Sequence, residues 1–242
     1  MQNTVVDTNG NPASYSLAAT WVTVSGRGTL ALPGSGTFTV AMNAGSLSGA
    51  MTASGGTLVL VCQPQFASST GSSEVFLDIS SGGINAGRIL VYMTAANELA
   101  ALWWWSTGSL FDCRWSPGAP LWTVGDVVTI AARWSSQTTP VLWFNSNQAT
   151  SAPTTHLGCM ATLPATLTLH SRVDLTLFAA MRVLLFGTYR YPYDDPTILT
   201  SWYPVGRNYY ATAELTDQTF APQPLAPGTD LWQVPLTVRV GQ

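Results

Sequence analysis

From end to end the sequence carries short runs in which apolar and polar residues alternate, bounded by glycine, proline, serine and asparagine. The three-to-four-residue spacing of an amphipathic helix is nearly absent. A period of two sends one set of side chains into a core and the other toward water, so the pattern restricts the chain to all-β architectures. Residues 21–24, 29–32 and 37–40 read as three short strands joined by the turns Gly26-Arg27-Gly28 and Pro33-Gly34-Ser35-Gly36. Leu58-Val59-Leu60-Val61-Cys62 is apolar at every position, which predicts a central strand covered on both faces. Further strands are expected over 74–79, 88–93, 141–144, 163–169 and 182–189. Phe111, Cys113 and Trp115 alternate with Asp112 and Arg114, and Val128, Ile130, Ala132 and Trp134 alternate with Thr129, Ala131 and Arg133. Each of those sets places one face inward.

The ends read differently. Residues 1–19 are polar and alanine-rich around the turn Asn9-Gly10-Asn11-Pro12, and predict an N-terminal arm or edge strand. Residues 20–205 hold the sandwich pattern. Residues 206–242 form an extended segment with Pro222, Pro224, Pro227 and Pro235, ending in a closing strand at Leu236-Thr237-Val238-Arg239-Val240. A strand near each terminus leads to the expectation that first and last strands pair. The one helix candidate is Asp195-Pro196-Thr197-Ile198-Leu199-Thr200-Ser201-Trp202, where Asp195 would cap and Pro196 would open the first turn. The fold expected is one all-β antiparallel sandwich of jelly-roll type, a size that 242 residues accommodate.

Charge narrows the partners. Charged residues make up 9% of the chain, all nine basic residues are arginine, and the net charge is −3. Nucleic acid is not expected as a partner, because phosphate binding needs a clustered basic stripe and these arginines are scattered. A surface with so little self-repulsion suits lasting contact with neighbouring subunits, so a homo-oligomer is expected. No apolar run approaches the roughly 20 residues of a membrane-spanning helix. The first residues lack the basic-then-apolar plan of a secretory signal, from which folding in a cytoplasm is expected. Cys62, Cys113 and Cys159 are odd in number and widely spaced, which predicts buried free thiols.

With the chain laid out, its central part resembles the concanavalin A-like, laminin-G-like jelly-roll superfamily, in the versions found in structural and receptor-binding proteins of tailed bacteriophages. The resemblance is carried by Gly56-Thr57-Leu58-Val59-Leu60-Val61, Gly87-Arg88-Ile89-Leu90-Val91-Tyr92, the segment from Trp122 through Val127 to Trp134, and Leu142-Trp143-Phe144-Asn145. Leu184-Leu185-Phe186-Gly187-Thr188-Tyr189-Arg190, followed by Asp194-Asp195-Pro196, looks like a late strand leading into a short helical turn. The family's asparagine-glycine turn is here Asn145-Ser146-Asn147, and no full set of calcium-ligand carboxylates matches. The resemblance implies a virion structural protein, a capsid decoration or appendage subunit contacting other virion proteins. The alternative it implies is a carbohydrate-binding adhesin for a host glycan.

Catalytic residues are not expected, nor are cofactor-binding or metal-binding residues. A retaining glycosidase on this fold would want two carboxylates on one strand face as Glu-x-Asp-x-x-Glu, and no such run exists. Of the three glutamates, Glu74, Glu98 and Glu214, only Glu74 has a carboxylate at strand parity, Asp78, with Phe76 between them. His156 and His170 have no neighbouring cysteine or carboxylate pattern, so no zinc site is expected. Cys113, between Asp112 and Arg114, shares parity with Phe111 and Trp115 and is expected in the core. Two features could touch a ligand. One is the loop Tyr189-Arg190-Tyr191-Pro192-Tyr193 with Asp194-Asp195, which is either a capped turn or a place to bind calcium or hydrogen-bond a sugar. The other is Trp103-Trp104-Trp105, where alternation turns at least one indole away from the core.

Overall fold

The computed structural model describes residues 13–15, 20–24, 27–35, 38–41, 52–80, 87–106, 109–115, 120–137, 139–145, 147–149, 166–172, 174, 176–189 and 191–192, with short strands at 214–215, 223–224, 232–233 and 238–239. All regular structure among them is strand, and no helix there is long and apolar enough to cross a membrane. The strands are β1 (Ala13–Tyr15), β2 (Thr20–Val24), β3 (Arg27–Leu32), β4 (Phe38–Ala41), β5 (Gly55–Pro64), β6 (Glu74–Ser80) and β7 (Arg88–Met93). They continue with β8 (Leu99–Ser106), β9 (Ser109–Trp115), β10 (Val128–Ser135), β11 (Val141–Phe144), β12 (Asn147–Gln148), β13 (Thr166–Leu169) and β14 (Met181–Tyr189). Four short ones follow, β15 (Glu214–Leu215), β16 (Gln223–Pro224), β17 (Trp232–Gln233) and β18 (Val238–Arg239).

Two seven-stranded antiparallel sheets pack face to face as a sandwich. Their orders are β1-β4-β13-β6-β7-β8-β9 and β12-β11-β10-β5-β14-β3-β2. The apolar run at 58–62 lies at the centre of the second sheet, bonded to β10 on one side and β14 on the other. Its alternation explains why every position is apolar. Leu58, Leu60 and Cys62 enter the core between the sheets, while Val59 and Val61 join Ala131, Val141 and Trp143 in a second apolar cluster on the opposite face. Burying each such aliphatic side chain contributes about 1.5–3 kcal/mol. The inter-sheet core is aromatic at one end, where Phe66, Phe76 and Trp122 meet at ring separations of 5.7–5.9 Å. The Trp122 indole donates to the Phe66 carbonyl at 2.9 Å, so its polar edge is satisfied where it is buried.

Alternation in β10 holds as expected, with Val128, Ile130, Ala132 and Trp134 inside and Arg133 outside, over the Trp143 ring at 5.2 Å. Cys113 lies in the core with Trp115 packed against it, and Cys62 and Cys113 are both buried free thiols. Loss of hydration pushes the Cys113 thiol up to about 11. Cys159 lies outside the described residues.

The expected shared face of Glu74 and Asp78 is corrected by a bulge. The β6–β7 register shifts between Val75 and Leu77, so Glu74 stands opposite the core residue Met93 while Asp78 stands opposite Leu90 on the outer face. One extra residue reverses parity, and the two carboxylates project from opposite faces. Asp78 is instead held by Arg88, whose Nε and Nη2 donate to its two oxygens at 2.8 and 2.6 Å. Both side chains are almost fully buried. The planar fork satisfies both oxygens, which is how a buried charge pair is tolerated.

Among the described strands the first and last, β1 and β18, do not pair with each other. β1, within the N-terminal segment, lies at the edge of the first sheet beside β4, whereas β18 pairs with β15 in a separate two-stranded ribbon. A second ribbon joins β16 and β17. The helix expected at 195–202 lies outside the described residues.

Candidate functional site

At one end of the second sheet the N-terminal end of β5 meets the C-terminal ends of β10 and β14: Ser135 pairs with Gly55, Trp134 with Gly56, and Tyr189 with Thr57. The chain then passes through Tyr191 and Pro192 across this rim. Two glycines permit the approach. A Cβ on Gly56 would overlap the Trp134 ring and sit 2.9 Å from the Tyr189 carbonyl oxygen, and one on Gly55 would touch Pro192 at 3.6 Å. The segment is braced at its backbone, since the Thr57 hydroxyl donates to the Tyr191 carbonyl at 2.8 Å.

The floor is braced as well. The buried Trp134 indole donates to the Thr52 carbonyl at 3.1 Å, and the Ser136 amide donates to the Ser54 carbonyl at 2.7 Å. The Thr52 hydroxyl closes its own turn by accepting from the Gly55 amide at 3.0 Å. On this rim Tyr191 is 51% exposed, and it is the one exposed aromatic among the residues whose side chains are described. Ser54, Ser136 and Gln137 are exposed beside the same strand ends. The result is an exposed tyrosine ring on a rim whose backbone is held, with uncharged hydrogen-bonding groups exposed among the described residues at the same strand ends. Such a surface can stack against a flat apolar face while exchanging hydrogen bonds at its margin, and little ordering is left to be done on binding.

Of the aromatic loop expected to touch a ligand, the structure thus places Tyr189, Tyr191 and Pro192; Arg190, Tyr193, Asp194 and Asp195 lie outside the described residues. Trp103 is fully buried between the sheets, opposite Ile89 and Phe111 in register. The β8–β9 register shifts between Trp104 and Ser106, so simple alternation does not continue through Trp105. The side chains of Trp104 and Trp105, and His156, lie outside the described residues. His170 is buried at the end of β13, and among the described residues no three His, Cys, Asp or Glu side chains are placed to hold an ion.

A second polar cluster was not visible in the sequence. On the outer face of the first sheet Tyr92, Ala100 and Arg114 form one cross-strand row. Arg114 donates through Nε to Asp112 at 2.8 Å and through Nη1 to Glu98 at 2.9 Å. Burial, then the charge of Asp112, raises the Tyr92 phenol above its ordinary range. Asp112 and Arg114 were readable as outward residues of one strand; Glu98 and Tyr92 reach them only through strand pairing.

No protein-family model matches this chain, and no curated protein matches it by sequence. Solved structures do match it. One, on cell entry of botulinum neurotoxin type C and its dependence on interaction with two ganglioside molecules, aligns at TM-score 0.65 and 14% identity over 89% of this chain and 50% of that one. The fold is a concanavalin A-like sandwich. A second match, the binding domain of botulinum neurotoxin DC in complex with SialylT, aligns at TM-score 0.64 and 13% identity over 90% of this chain and 52% of that one. A third, NanB with Optactamide, aligns at TM-score 0.53 and 11% identity over 67% and 26%. This chain therefore spans about half the length of the neurotoxin structures, and at these identities the likeness carries the fold alone. None of the three is described as a virion protein, so the bacteriophage part of the resemblance rests on sequence.

Proposed function

We propose that this chain is a non-catalytic, lectin-like module that binds a glycan at the Tyr191 rim. The observation that carries the reading is one exposed tyrosine held on a doubly braced rim of a concanavalin A-like sandwich. The C–H face of a pyranose ring stacks on the Tyr191 ring, and its hydroxyls exchange hydrogen bonds with Ser54, Ser136 and Gln137. The ligand class is supported by the fold neighbours whose structures concern gangliosides and SialylT. Non-catalytic action is supported by the carboxylates: Glu74 and Asp78 lie on opposite faces, Asp78 is locked to Arg88, and Glu98 and Asp112 are both engaged by Arg114.

The test is a glycan array probed with the whole chain and with Tyr191→Ala. Wild-type signal on a subset of glycans, lost in a variant that melts at the same temperature, is the expected result. A blank array, or a variant that binds as the parent does, would sink the reading. A structural subunit of a bacteriophage particle is the second reading. It is favoured by the 9% charge content, which suits a surface in lasting contact with other subunits.

A further inference from the structure

β9 is an edge of the first sheet: among the described strands its one partner is β8. It has seven residues, against three in β1, five in β2 and two in β12, the other edges. A long edge is a template for another strand, and natural edges are commonly blunted by charged side chains, by proline, by bulges or by shortness. β9 is not short and contains no proline, and the charges it carries are of both signs. Its exposed charges are one acid and one base, Asp112 and Arg114, two residues apart on the outer face.

That spacing makes the strand self-complementary. When two copies pair β9 antiparallel about a two-fold axis through Cys113, residue 112 of each stands directly opposite residue 114 of the other. A carboxylate then faces a guanidinium twice. Sliding the register by two residues, the smallest slip that keeps each side chain on its own face, sets Asp112 against Asp112 or Arg114 against Arg114. One register is favoured and its neighbours are penalised. A second observation points the same way: the Oδ1 atom of Asp112, on the outer face of β9, is buried without a hydrogen-bond partner within the chain. The Arg114 side chain remains 42% exposed, able to turn from its own Asp112 to that of a second copy.

We propose that the occupant of the β9 edge is a second copy of this chain, giving a homodimer with a continuous fourteen-stranded sheet through paired first sheets (seven strands from each copy). The rim bearing Tyr191 belongs to the other sheet, so dimerisation leaves it open and presents two rims per particle, which multiplies avidity on a surface. This inference stands whether or not the rim binds a glycan.

The test is sedimentation equilibrium on the whole chain and a charge-reversal cycle. Wild type sediments as a dimer. Asp112→Arg and Arg114→Asp each place like charges opposite one another twice and weaken the dimer by about ten-fold or more. Asp112→Arg combined with Arg114→Asp restores it, and Glu98→Gln, which touches only the internal contact, leaves it intact. If a single variant fails to fold, hydrogen exchange on the wild type decides, because the alternate amides of β9 that face away from β8 gain protection as concentration rises. A wild-type monomer with concentration-independent exchange overturns the proposal. So does a dimer indifferent to charge reversal, which would place the interface elsewhere, for example at β2.

Discussion

His170 should make the fold acid-sensitive in a window where carboxylates are still ionised. The side chain is 1% exposed, its ring packs against Phe178, and its Nδ1 atom has no partner. Burial pushes its pKa down to about 4, against the opposing effect of a backbone contact at Pro33. The folded state therefore holds the proton less tightly than the unfolded chain, whose histidine titrates near 6.5. Between those values the unfolded state binds more protons, so stability is full above about pH 6.5 and is lost as pH falls toward 4. Integrating that difference from pH 7.5 to pH 5 gives about 2 kcal/mol lost, and about 3 kcal/mol is lost once pH reaches 4 or below. The backbone at His170 is left-handed, with φ of 59°, so asparagine is the substitution that keeps the geometry. Urea unfolding at pH 7.5 and pH 5 should show the 2 kcal/mol drop in wild type and a much smaller drop in His170→Asn. Parallel pH dependence in the two proteins would refute the reasoning, because the loss would then belong to other groups.

Two further substitutions probe the frame. Gly56→Ala places a methyl group into the Trp134 ring and against the Tyr189 carbonyl, and should cost about 1–3 kcal/mol in chemical unfolding while loosening the rim. Arg88→Met strands the buried Asp78 carboxylate and should cost about 3–5 kcal/mol, most of it recovered in Arg88→Met with Asp78→Leu, as thermal melts would show.

Much of the sandwich was legible because its signals are local. The uniformly apolar 58–62 run could be satisfied only between two neighbours and two covered faces, and that is where β5 lies. Alternation placed Cys113 and the inward residues of β10 correctly for the same reason. Parity fails where the chain gains a residue. The bulge at Phe76 put Glu74 and Asp78 on opposite faces, and no composition rule marks a bulge inside Val-Phe-Leu. The ion pair of Asp78 with Arg88 is set by which strands neighbour each other, as is the meeting of Glu98 with Arg114 across a hairpin. Pairing of first and last strands was inferred from position in the chain, yet β1 found β4 and β18 found β15. Of the candidate site, the aromatic loop was readable as tyrosines in a turn. Its bracing by Thr57, Gly55, Gly56 and Trp134 was not, because those residues are distant in sequence, Thr57 lying 134 positions from Tyr191.

The most direct test is a calorimetric titration of the best array glycan into wild type, Tyr191→Ala and Val124→Ala. Val124 is 60% exposed in the turn whose Gly125 amide donates to Pro64, at the end of β5 away from the rim, and so serves as an apolar control. The account predicts equal affinity for wild type and Val124→Ala, and binding about ten-fold weaker, or about 1.4 kcal/mol, for Tyr191→Ala. Equal binding by all three proteins, or no heat of binding with wild type, would contradict it.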